Sequence, residues 1–276
     1  MTSSPRRVAP FFLLAFTITW GTQLPGALVQ RGVLPGDARH WLPLAGLGMF
    51  GPLMAAVVVT RREGGMPAVR ALLVRVLRWR VHAKWYLVAL LPAALLALLL
   101  SLLNLVGRSG PVVYWPALGG IVFGIVMSLV EEIGWRGFAL PRLQARWGDI
   151  GASGVLGTLW YLWHLPMFFA QGVAWNLVLV MLLYFWGASL LLTWIYNGTG
   201  GSVLLVSVAH LAAHLNNSHR ALPEEILPLV AHAVVYAALG LFVLRGQSVR
   251  PKSSGFTLPP DRERQVLQAR HRNHIL

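Results

Sequence analysis

Eight long apolar runs constrain any fold of this chain: Ala9–Val29, Trp41–Thr60, Trp85–Val106, Ala117–Leu140, Ala152–Gln171, Trp175–Tyr196, Ser202–Asn217 and Ile226–Leu244. A helix that crosses the hydrocarbon layer needs about 20 mainly apolar residues, and all the runs but the short seventh come close to that length. The expected fold is therefore all-α, a polytopic membrane helix bundle of about eight transmembrane helices. Apolar residues make up 56% of the chain and charged ones 12%, half of the roughly one quarter usual in soluble domains.

The net charge of +14 raises the question of a nucleic-acid partner, and the placement of the basic residues answers it. With a cytoplasmic N-terminus, 18 of the 23 Lys and Arg residues fall inside, four (Arg31, Arg39, Arg108 and Arg220) fall outside, and Arg136 lies within a run. This is the positive-inside asymmetry, so the charge serves topology and anionic head groups, and no nucleic-acid partner is expected. Both termini are expected in the cytoplasm of a multi-pass cell-membrane protein. The start, Arg6-Arg7 before an apolar run, resembles a signal peptide, but no clean small-x-small site follows and the first helix is expected to be retained. With no cysteine there is no disulfide, thiolate zinc site or cysteine nucleophile.

Between the second and third runs, Val69, Leu72, Leu73, Val76 and Leu77 recur at helical spacing with Arg75, Arg78 and His82 opposite. This predicts a basic amphipathic helix lying in the cytoplasmic interface. The expected organisation is one membrane domain over 1–246 and a basic, disordered cytoplasmic tail over 247–276.

Seven of the nine acidic residues fall in loops or the tail, and only Glu131 and Glu132 lie inside a run. A carboxylate at such depth costs roughly 2.5–3.5 kcal/mol on insertion scales, so it faces a cavity and has a partner. Arg136 is that partner for Glu132, four residues on along the same helix face. Glu131, about 100° round the helix, is left to act on something else. Packing alone needs one acid, not two that repel each other. His164, in Trp160-Tyr161-Leu162-Trp163-His164-Leu165-Pro166, and His210 and His214, one turn apart, supply the second half of a site. Counting the helical rise from the inner end of each run puts Glu131, His164 and His210 at roughly 15, 18 and 12 Å, so the three can meet at one level. His232 has no evident acidic partner and reads as structural. Asn197, Thr199 and Ser202 read as a turn and helix cap.

Glu131-Glu132-Ile133-Gly134-Trp135-Arg136-Gly137, Trp160-x-x-x-His164 and His210-x-x-x-His214 resemble, in order, the three motifs of the CaaX-protease and bacteriocin-processing family, also called the Abi family: Glu-Glu-x-x-x-Arg, Phe-x-x-x-His and His-x-x-x-Asn or His-x-x-x-hydrophobic. The resemblance covers about 118–217. Trp160 replaces the usual Phe, and His214 stands where Asn is frequent, with Asn216 and Asn217 out of register. The resemblance implies an eight-helix intramembrane endopeptidase in which Glu131 and His164 activate a water, Glu132 and Arg136 support them, and His210 helps hold the oxyanion.

No cofactor is expected to be required. Zinc is the alternative, and Glu131, His164 and His210 would then be its ligands. The expected partners are the bilayer and a peptide or protein substrate, through CAAX-type, bacteriocin or leader-peptide processing. A non-catalytic self-immunity or scaffold protein is the competing reading. A proton-coupled transporter would also bury Glu, His and Arg, but the paired halves or broken helices of such proteins are not evident in the sequence.

Overall fold

The computed structural model describes residues 8–105, 118–215 and 226–248. They form α1 (Ala9–Gln30), α2 (Leu42–Gly48), α3 (Gly51–Leu73), α4 (Lys84–Ala89), α5 (Leu91–Leu105), α6 (Leu118–Glu132), α7 (Leu140–Trp163), α8 (Leu165–Gln171), α9 (Trp175–Gly198), α10 (Val203–Leu215) and α11 (Ile226–Ser248), with a π-helical segment, Ile133–Ala139, between α6 and α7. By its contacts the chain divides into Met1–Leu244 and Arg245–Leu276. Of the second unit only Arg245–Ser248, the end of α11, is described. The expected tail from Pro251 lies outside the described residues.

Proline places many of the helix starts. Proline stands in the first turn of α1, α2, α3, α7 and α8, where its missing N–H is one of the donors a helix start leaves unpaired anyway. This rule breaks runs expected to be continuous. Ala152–Gln171 is divided at His164 between α7 and α8 because Pro166 cannot donate to the turn before it. Trp41–Thr60 is divided at Met49–Phe50 ahead of Pro52, and Trp85–Val106 at Leu90 ahead of Pro92. Ala117–Leu140 passes through the π-helical segment. Among the described residues three helical stretches are long and apolar enough to cross a membrane, Ala9–Gln30, Ala38–Leu77 and Trp175–Gly198, with shorter apolar helices at Val203–Ala213 and Ala233–Gly246. The described residues are all-α, and the chain is a multi-pass membrane protein.

In the segment expected to form the interfacial helix, the place of Arg75 needs a correction. The segment continues α3 beyond a kink at Gly64 and Gly65, where Gly65 has φ of +67°, and it buries Val69 and Leu72 against the bundle. Leu77 stays exposed. Arg75 then reaches inward, donating to the Gly137 carbonyl at 2.6 Å and to the Tyr196 hydroxyl at 3.2 Å. The segment therefore braces the centre of the bundle.

Within the first unit α1 packs along α3 and α8, α7 along α9, and α10 against α5 and α6. Trp135, Phe138, Leu140, Phe11 and Leu156 are fully enclosed. On the outer faces Leu13, Leu87, Leu105, Leu179 and Phe242 are each at least 70% exposed. Apolar side chains in that position suit lipid, because against water each would forfeit about 1.5–3 kcal/mol of burial.

Candidate active site

The acids end a regular helix. Glu131 and Glu132 close α6, and the chain then widens into the π-helical turn, a local form that concentrates at functional sites. Small residues permit this crowding: at Gly134 the backbone of Pro52 in α3 lies 2.7 Å from where a Cβ would stand. Every residue from Glu131 to Leu140 is buried, Glu131 at 4% exposure and Glu132 and Arg136 at 0%.

Arg136 Nη1 donates to Glu132 Oε1 at 2.7 Å, the pair expected from the spacing. The same oxygen accepts from His210 Nδ1 at 2.9 Å, so α10 is tied to α6 through one carboxylate. The Arg136 guanidinium also lies 4.5 Å from the centre of the Trp160 ring, a cation–π contact strengthened by desolvation. Glu132 Oε2, Arg136 Nε and Nη2 and Trp135 Nε1 have no hydrogen-bond partner among the described residues. The ion pair is thus held by a single hydrogen bond instead of the two parallel ones of a fork.

Glu131 is held differently. Its Oε2 accepts from Trp160 Nε1 at 2.8 Å. The backbone carbonyl of Trp160 in turn faces His164 Nδ1 at 2.8 Å. A carbonyl can only accept, so Nδ1 carries the proton, and a neutral His164 has its lone pair on Nε2. That carbonyl is open to the ring because α7 ends there: the His164 N–H turns back to Tyr161, at 3.0 Å, and not to Trp160. Phe168, Phe185 and Trp163 pack around the imidazole with ring centres 5.8, 4.9 and 4.7 Å away. Glu131 and His164 interact electrostatically, and no direct hydrogen bond joins them among the described residues.

A cavity of about 30 Å³ opens beside the histidines, lined by Trp160, His164, Tyr184, Phe185, His210 and Tyr236 among others. Since a water needs about 10–15 Å³ on this measure, the space suits one or two waters. Tyr236 of α11 closes one side of it by donating to the Pro92 carbonyl at 2.9 Å.

The structure therefore brings together Glu131, Glu132, Arg136, His164 and His210. His214 follows one turn after His210 in α10, and its side chain lies outside the described residues, as does that of His232. Among the described residues no three His, Asp or Glu side chains are grouped so as to hold a metal ion. The sequence reading missed the indole N–H of Trp160 as a partner of Glu131, and it missed Arg75 as the partner of the π-helical segment. The one available signal was that Trp, unlike Phe, brings a donor.

Residues 113–216 match the family described as Type II CAAX prenyl endopeptidase Rce1-like. This stretch holds all the candidate residues, and the family it matches is the one its motifs resemble. A protein named CAAX prenyl protease 2 from Methanococcus maripaludis is 27% identical over 173 residues, 53% of this chain and 62% of the relative. The chain thus aligns with less than two thirds of that relative's length.

Proposed function

We propose that this protein is an intramembrane endopeptidase that hydrolyses a peptide bond with a water held between Glu131 and His164. The observation that carries the reading is the setting of His164, whose Nδ1 is committed to a carbonyl while the ring lines a water-sized cavity together with Trp160, the hydrogen-bond donor to the buried Glu131. Glu131 Oε1 takes a proton from the water as the water oxygen bonds to the carbonyl carbon. The proton passes to the departing nitrogen as the carbon–nitrogen bond breaks, leaving a carboxylic acid and an amine. His210, tied to Glu132 through Nδ1, helps hold the oxyanion, the role the family resemblance implies for it. Glu132 and Arg136 supply the buried charges that flank it, in a site with little competing water.

No metal takes part in this scheme. Both termini lie in the cytoplasm, a reading supported by the distribution of basic residues; a reporter fused after Leu276 that works only outside the cytoplasm would overturn it. The substrate class follows the name of the relative: a protein or peptide with a prenylated CAAX terminus. The test is cleavage of a fluorescence-quenched, isoprenylated CAAX peptide by the purified protein with a strong chelator present throughout. Wild-type protein should turn over and Glu131→Gln should lose about 10²–10⁴-fold with unchanged folding. Equal cleavage by the two proteins sinks the reading; activity lost to the chelator and restored by zinc sinks its metal-free form.

A further inference from the structure

We propose that Trp160 is a positioning residue, whose indole N–H aims the Glu131 carboxylate so that one oxygen, Oε1, is left for the water. The proposal rests on the hydrolytic reading above and deepens it. Glu131 has three side-chain torsions, and nothing in a helix end fixes the last of them. Among the described residues the hydrogen bond from Trp160 Nε1 to Oε2, at 2.8 Å, is the one hydrogen bond to that carboxylate.

The chemistry of indole suits this task. It donates and does not accept, so it cannot take up the proton that Glu131 removes from water, and it carries no charge of its own into a cluster that already holds Arg136. The ring is itself fixed, edge to face with His210 at 5.1 Å and with Phe185 at 4.7 Å, and stacked over by the Arg136 guanidinium at 4.5 Å. A donor on a ring clamped from three sides cannot follow the carboxylate; the carboxylate must come to it. Trp160 also lines the cavity with both histidines, so the ring that holds Glu131 through Oε2 is itself a wall of that space. Phenylalanine, the residue frequent at this motif position, fills the ring's place and gives no donor.

The experiment uses the full chain in nanodiscs with ¹⁵N-labelled indoles, together with the isoprenylated peptide assay. Trp160→Phe removes one of twelve indole cross-peaks and so identifies Trp160. In Glu131→Gln that peak should move upfield, because an amide oxygen is a weaker acceptor than a carboxylate. Trp160→Phe should lower kcat about ten- to hundredfold, the scale of a misplaced catalytic group, with KM within twofold. The Trp160→Phe/Glu131→Gln double variant should be no slower than Glu131→Gln alone. An unchanged kcat in Trp160→Phe, beside a dead Glu131→Gln, overturns the positioning role and leaves the hydrolytic reading standing. A Glu131→Gln protein that cleaves like wild type overturns both. Should the Phe variant fail to fold, Glu131→Gln in the otherwise native chain still decides, since no indole peak moving overturns the contact.

Discussion

The two adjacent glutamates stand in different surroundings. Glu132 is fully enclosed and ion-paired: Arg136 from the π-helical turn that follows it and His210 from α10 share one of its oxygens. Glu131 meets a neutral donor, and the partner of that donor's residue, His164, lines the cavity. Removing a charge from the first region strands its partner in the low-dielectric interior, a stability problem. Removing the His164 ring from the second takes no charged partner from either acid, so that loss falls on chemistry. In the proposed reaction one dipeptide thus contributes an acid that holds helices together and an acid that exchanges a proton.

This contrast can be broken or sharpened by substitution. The largest effect is expected from His164→Ala, which should cut turnover about 10²–10⁴-fold with little change in thermal midpoint, measured on the purified protein in detergent. If Glu131 and His164 hold one water they act as a unit, so the double variant with Glu131→Gln should be scarcely worse than either alone. Fully multiplicative losses would show that they do not share a water. Arg136→Ala should act on the other region. Breaking a buried pair by removing one partner costs about 3–5 kcal/mol, so thermal unfolding should shift far down and activity with it. A variant that melts like wild type would erase the distinction between the two acids. The smallest effect belongs to Arg75→Ala, which takes the donor from the Gly137 carbonyl. Leaving that carbonyl unpaired costs about 1–3 kcal/mol, to be read as a modest fall in thermal midpoint, with activity following only as far as the π-helical turn loosens.

Much of the site was legible because membrane insertion makes buried charge rare. Two acids, one arginine and a few histidines inside apolar runs had few places to go, and the Glu132–Arg136 pair followed from spacing alone. Counting helical rise brought acids and histidines to one level. It could not say that His210 meets Glu132 and not Glu131, because that depends on how α10 is rotated about its axis. The breaks at His164, Leu90 and Met49–Phe50 were written in Pro166, Pro92 and Pro52, but hydropathy runs straight through proline. The π-helical turn had no such mark. Its glycines, Gly134 among them, allow close packing against α3 without announcing a wider helix. Arg75 looked like one more solvated cation on a basic face, since nothing local distinguishes an arginine that turns inward.

The acceptor that fixes the His164 ring is a main-chain oxygen, exposed because the helix stops one turn later and the next residues cannot continue the ladder. Every amino acid that could stand at position 160 carries the same oxygen. The tautomer of His164 is therefore insulated from mutation at the residue that sets it, while the hydrogen bond to Glu131, made by the side chain of that residue, is open to change. The two halves of the proposed water-binding pair can drift independently: substitution at position 160 can retune Glu131 and leave the His164 proton where it is, so long as Pro166 keeps the helix from closing over it.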